Sequence, residues 1–271
     1  MTLAALFPEF EPWIRTLGEN GLALAIKLFF PHFLVAHLLS LFLLGGCAIL
    51  LNLRLVGVGF EEPSAWVARR LRPMLDLSLA ATLATGLLMA ALEPVKLYGD
   101  TPFLVKMTAL MAAVVATYGA ALPVARAEGA LGRATLGAFV VALLLWMLAL
   151  WVFATTLGSS PGVILVIFAS GLLLAVALSG RTRWVYLIGL MAMVVAQQVV
   201  THAFIDPDDF AALDPVNTAF TCVEAAWILA FLARLVAVRK QGTGRASRLV
   251  GSVTLLIWVT VAVAGRWIAF G

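Results

Sequence analysis

Eight long apolar stretches, separated by gaps whose charges alternate in sign, constrain this chain more than any other feature. They cover residues 31–54, 71–92, 102–124, 135–157, 163–179, 184–204, 216–238 and 249–270, and a helix needs about 20 mostly apolar residues to cross the hydrocarbon layer of a bilayer. Barrel strands would alternate in polarity, and these runs do not, so each is expected to be helical. Basic residues fall in every second gap: Arg54, Arg69, Arg70 and Arg72; Arg126 and Arg133; Arg181 and Arg183; Arg239, Lys240, Arg245 and Arg248. The gaps between carry Glu93 and Asp100, then Asp206, Asp208, Asp209 and Asp214, while Glu9, Glu11 and Glu19 precede the first stretch. Lys and Arg concentrate on the cytoplasmic side of polytopic proteins. The basic gaps are therefore expected in the cytoplasm, and an even number of crossings leaves both termini on the periplasmic side of a bacterial inner membrane.

Composition excludes the soluble alternatives. Of the 271 residues, 63% are hydrophobic and 12% charged, well outside the soluble globular range. The net charge of +4 belongs to loops facing anionic headgroups, so the expected partner is the lipid bilayer and not nucleic acid. Cys47 and Cys222 lie within apolar runs and read as small packing residues rather than as a disulfide. The N-terminus lacks a basic segment ahead of a short apolar run, so no removable signal peptide is expected.

Three regions follow from the pattern. Residues 1–30 mix Phe7, Phe10 and Trp13 with Glu9, Glu11 and Arg15, a composition suited to lying in the membrane interface. Residues 31–157 and 158–271 each hold four stretches. Gly132-Arg133-Ala134-Thr135 is followed by Trp146 at the same interval that separates Gly244-Arg245-Ala246-Ser247 from Trp258. This weak match suggests two parallel four-helix repeats. The expected fold is thus all-α: a polytopic membrane bundle of about eight transmembrane helices.

Ionisable groups within a span cost about 2.5–3.5 kcal/mol each at the helix centre, which calls for a partner or a purpose. Six lie toward the outer ends of their stretches: His32, His37, Lys106, His202, Glu224 and Arg266. Lys106 and Arg266 are close enough to the interface to snorkel, and His32 follows Pro31 at headgroup level. His37 and Glu224 are deeper, and Glu224 is expected to pair with Arg266 or Lys106. All three histidines of the chain share this layer, which suits a haem b or a metal such as copper, since imidazole ligates both. His32 and His37 point roughly 140° apart on a regular helix. A two-histidine site would therefore join His37 to His202.

The run Phe30-Pro31, then His37, Gly45-Gly46 and Leu53-Arg54-Leu55-Val56-Gly57, together with Thr101-Pro102-Phe103-Leu104-Val105-Lys106-Met107 and the terminal Gly265-Arg266-Trp267-Ile268-Ala269-Phe270, resembles an uncharacterised family of bacterial inner-membrane proteins. That family is distantly similar to the copper-resistance D proteins and the b-type cytochrome four-helix bundles. The resemblance marks His37, Lys106 and Gly265-Arg266 as matching positions. It implies a helical bundle with a polar site and carries no known activity.

Together these readings predict an integral inner-membrane subunit with a site near the periplasmic face, built from His37, His202, Lys106, Glu224 and Arg266. The leading expectation is electron transfer through a haem b or a quinone, with a periplasmic redox partner or a larger membrane complex. Two alternatives stand beside it: a structural subunit that anchors a complex without any cofactor, and transport or tolerance of copper or another metal. The inner halves of the stretches carry few polar groups, which argues against a hydrated transport path.

Overall fold

A computed structural model describes residues 2–18, 27–59, 61–156, 161–205, 209–237 and 244–268. Glu19, Asp206, Asp208, Arg239 and Lys240, which entered the charge pattern, lie outside the described residues.

Every element among the described residues is helical. A single turn at Leu3–Leu6 and a 3₁₀ turn at Pro8–Phe10 lead into α1 (Glu11–Gly18). There follow α2 (Phe30–Val56), α3 (Ser64–Ala90), the short α4 (Pro94–Gly99) and α5 (Thr101–Arg126). After them come α6 (Arg133–Thr156), α7 (Pro161–Ala177), α8 (Gly180–Ala203), α9 (Phe210–Ala237) and α10 (Arg245–Trp267). Seven of these are long and apolar enough to cross a membrane. The fifth apolar stretch forms α7, which at 17 residues stands at the short end of what spans a bilayer.

The helix ends follow from local chemistry. Pro31 opens α2, and Gly57 closes it in a left-handed conformation with φ of 87°, where a side chain would be strained. From there Gly57 and Val58 donate to the Arg54 and Leu53 carbonyls, satisfying acceptors that a helix end leaves open. Asp100 caps α5 by accepting from the Phe103 N–H at 3.1 Å, with Pro102 in the first turn. Burial pushes the Asp100 carboxyl above its usual range, against the pull of that N–H and of Lys96. At the other end of α5, the turn at Glu128 and Gly129 returns the Gly129 N–H to the Val124 carbonyl at 2.8 Å. Glu128 then accepts from the Ser64 hydroxyl and the Ala65 N–H, both at 2.9 Å, which ties the start of α3 to the end of α5.

Without a hydrophobic drive between helices in lipid, close contact depends on small residues. The main core joins α2, α3, α5, α6 and α10, and alanines at 109, 112, 113, 116, 120, 121, 142, 149 and 264 are fully buried in it. A Cβ at Gly119 on α5 would come within 2.6 Å of the Ala138 Cβ on α6, and one at Gly251 on α10 within 2.8 Å of the Asn52 carbonyl oxygen on α2. The last helix is the central one. Of its most apolar window, 78% is buried in protein, against 17% for α3 and α9. It thus packs within the bundle formed by the first four spans, while α7, α8 and α9 build a smaller cluster around Leu174, Tyr186, Leu190 and Ile228.

The two tryptophans of the weak sequence match are each anchored across helices. Trp146 donates to the Thr260 hydroxyl at 2.8 Å, and Trp258 to that of Thr117 at 3.0 Å. Thr117 begins a π-helical turn, Thr117–Ala121, inside α5. At the opposite end of the bundle the N-terminal segment docks on α4, where the Tyr98 hydroxyl donates to the Phe7 carbonyl.

Candidate functional site

A lateral cleft of about 830 Å³ runs along α2 and α10. Its walls are apolar, with Leu34, Leu38, Leu41, Leu173, Trp258 and Val263 among them, and its polar end gathers His37, Glu93, Lys96, Lys106 and Arg266. A second cavity of about 430 Å³ shares His37, Glu93 and Lys106 and extends to Lys27, Gly86 and Phe103. His37 and Lys106 face both.

His37 sits on α2 and is 7% exposed. Its Nδ1 is 2.8 Å from the Thr85 hydroxyl on α3, and that hydroxyl gives its own proton to the Ala81 carbonyl at 2.6 Å. A hydroxyl has one hydrogen to give, so in the arrangement where Thr85 keeps its bond to Ala81, Nδ1 is the donor and Nε2 carries the lone pair. Nε2 has no hydrogen-bond partner among the described residues and is not among their buried orphan atoms, as expected of an atom at a cavity wall. Gly86 makes room for the ring: a Cβ there would lie 3.2 Å from the His37 Cε1. Behind the imidazole, Thr82 donates to Ser40 at 3.0 Å, and Ser40 donates to the His37 carbonyl at 2.9 Å. The histidine ring is thus held in place by α3.

Lys106 reaches the same point from α5. Its stem crosses Gly265 of α10, where an added Cβ would sit 3.5 Å from Cε and 3.9 Å from Nζ. Among the described residues no carboxylate pairs with it, and it lines both cavities together with His37. Arg266, one residue beyond Gly265, is exposed at the rim. Three separate sequence positions, His37, Lys106 and Gly265-Arg266, therefore converge on one cleft.

The other two candidates lie elsewhere. His202, near the end of α8, is exposed and within 3.0 Å of the Gln198 carbonyl. Glu224 on α9 is 2% exposed, and its Oε1 has no hydrogen-bond partner among the described residues. Neither lines the cleft. The ion pairs described are Arg15 with Glu11 and Arg72 with Asp76, and neither includes Glu224. No group of three His, Cys, Asp or Glu side chains suited to a metal occurs among the described residues. Thr85 and Gly86 escaped the sequence reading. The signal was a threonine and glycine adjacent in an otherwise apolar stretch.

Fold and cleft together define the class: an all-α polytopic membrane protein with a side-opening apolar cleft that ends in a histidine and a lysine. Within that class, the chain is similar over residues 26–160 to a family of unknown function (DUF6644). The matched stretch holds His37, Thr85, Gly86 and Lys106, and leaves α10 outside. It brings no likeness to copper-resistance D proteins or b-type cytochromes. No curated protein and no solved structure matches.

Proposed function

We propose that the chain is a quinone-binding subunit of an electron-transfer assembly in a bacterial inner membrane, with the polar end of the cleft at the periplasmic side and both termini periplasmic. The observation that carries this reading is the convergence of His37 and Lys106 at one end of an apolar cleft of about 830 Å³. An isoprenoid quinone joins a two-carbonyl head to a long apolar tail, and such a molecule needs a few placed polar groups at one end and an apolar wall along the rest. Lys106 donates to a quinone carbonyl. The Nε2 lone pair of His37 accepts from a quinol hydroxyl, so the pair serves both oxidation states. When a redox partner withdraws electrons from the quinol, His37 Nε2 is the group in place to take a proton.

Two other readings ask for more than the donor set offers. A six-coordinate haem needs two axial ligands; His37 lines the cleft, while His202 is exposed on α8 and does not. A copper site needs a cluster of donors that the described residues do not assemble. A structural anchoring role would leave the cleft to ordinary lipid.

Mass spectrometry of a solvent extract from the purified full chain tests the proposal. Close to one quinone per chain is expected, and a His37→Leu, Lys106→Leu double variant should retain less than a tenth as much. Recovery of phospholipid alone from both would replace the quinone reading with the anchoring one.

A further inference from the structure

We propose a second site, unrelated to the cleft, at the arginine-rich end of the bundle: a recess that binds the phosphate of an anionic lipid headgroup. It measures about 590 Å³ and is lined by Ala65, Arg69, Arg72, Pro73, Asp76 and Arg126. Arg69, Arg72 and Asp76 lie three and four residues apart, on one face of α3. Arg126 comes from the end of α5, so two helices supply the charge.

The charges do not cancel. Asp76 is the one carboxylate in the lining, and it is already engaged. It lies 3.6 Å from Arg72 Nε and accepts from the Tyr118 hydroxyl at 2.7 Å. Glu128, two residues beyond Arg126, has both oxygens occupied by Ser64 and Ala65. Arg69 and Arg126 consequently have no carboxylate within ion-pair distance among the described residues. Two exposed guanidinium groups line the same recess without a carboxylate partner, and a guanidinium offers the planar set of donors that matches phosphate oxygens.

The frame around them is fixed. The Ser64 hydroxyl lies 2.9 Å from both the Ala125 carbonyl and a Glu128 oxygen and shares its one proton between them, and with the Ala65 N–H on Glu128 this ties the start of α3 to the end of α5. Depth points to lipid as the source of the phosphate. Trp66, one turn before Arg70, is 42% exposed and lies under the Arg70 guanidinium at 5.4 Å. An exposed tryptophan at a helix end marks the headgroup level. A basic recess between spans at that level suits an anionic headgroup.

The test uses the purified full chain in neutral detergent, with phosphatidylglycerol, phosphatidylcholine and inorganic phosphate as separate probes. Native mass spectrometry should show phosphatidylglycerol retained at least tenfold more tightly than phosphatidylcholine. Arg69→Ala with Arg126→Ala should erase that preference, whereas Arg70→Ala should keep it. Arg69→Lys with Arg126→Lys retains the charge and should recover part of the binding, which separates a fold defect from a lost site. Competition by millimolar inorganic phosphate that depends on Arg69 and Arg126, without any preference for phosphatidylglycerol, would support the phosphate site and assign it to a soluble phosphate ester. Equal retention of the two lipids with no effect of phosphate, or a preference unchanged in the double alanine variant, would overturn the proposal.

Discussion

The five-helix core and the α7–α9 layer solve the same problem by different means. In the core, α2, α5, α6 and α10 approach through glycine and alanine, so backbone meets backbone and the polar side chains on these helices bond across short gaps, as Trp258 does to Thr117. In the outer layer one aromatic group does the joining. Trp227 and Tyr186 each pack at a tilt against Phe231, with ring centroids 4.9 and 5.0 Å apart, and Trp227 donates to the Tyr186 carbonyl. Close packing of small residues leaves little freedom, whereas an aromatic side chain can move to relieve a clash. At the polar end of the cleft, His37, Lys106 and Arg266 stand on core helices, while Glu93 and Lys96 come from the start of α4.

That contrast makes the largest predicted effect a substitution at Gly251. A Cβ there meets the Asn52 carbonyl and the Leu55 Cβ, each at 2.8 Å, and backbone cannot step aside. Gly251→Val should cost about 3 kcal/mol or more, at the upper end of overpacking penalties, read as a large fall in thermal midpoint in detergent. A change within experimental error would show that α10 is not locked against α2.

In the outer layer the same experiment should be milder. A Cβ at Gly189 would lie 2.4 Å from Trp227 Cζ2, but the indole can rotate at the expense of its bond to Tyr186. Gly189→Ala should cost about 1–2 kcal/mol, with a change in tryptophan emission that Gly251→Val need not produce. Gly46 completes the series. Nothing lies within 4 Å of a Cβ placed there, so Gly46→Ala should be neutral or slightly stabilising, because alanine is the better helix former.

The smallest effect concerns the clamp between α3 and α5. Burial pushes the Glu128 carboxyl up, but the bonds from Ala65 and Ser64, helped by Arg54, outweigh it and hold the group below its ordinary 4.5. A carboxyl lowered in the folded state contributes stability that is present above its unfolded value and lost as pH falls through the folded one. Glu128→Gln should therefore lower the thermal midpoint slightly at pH 7, and the difference should close as the pH falls below 4.5 and through the lowered value of the folded state. A gap that persists or widens in acid would mean that the charge on Glu128 is not what holds the turn.

Much of this architecture is legible in the amino-acid order, and the part that is not has a physical reason. Apolar length gives the helices and the loops between them, down to the short α7. Burial is another matter: α10 is less apolar than α6, yet it is the most enclosed span. In lipid an apolar surface is a solvent-facing surface, so hydropathy cannot distinguish a helix facing lipid from one facing protein. For the site, residue type marked His37, Lys106 and Arg266, which do meet. It marked His202 and Glu224 equally, since depth in a span says nothing about lateral position. The groups that orient His37 were invisible because Thr85 is 48 residues away and a glycine that makes room leaves no periodic signal.

The central claim, that the cleft beside His37 and Lys106 takes a quinone, is tested most directly by photolabelling the full chain with an azidoquinone and mapping the modified peptides. Label is expected on the stretches around residues 30–49 of α2 and 255–266 of α10. It should be competed by excess unlabelled quinone and reduced about tenfold, equivalent to roughly 1.4 kcal/mol, by His37→Leu. Label concentrated on α8 and α9, or spread over all spans and indifferent to both competitor and His37, would contradict the account.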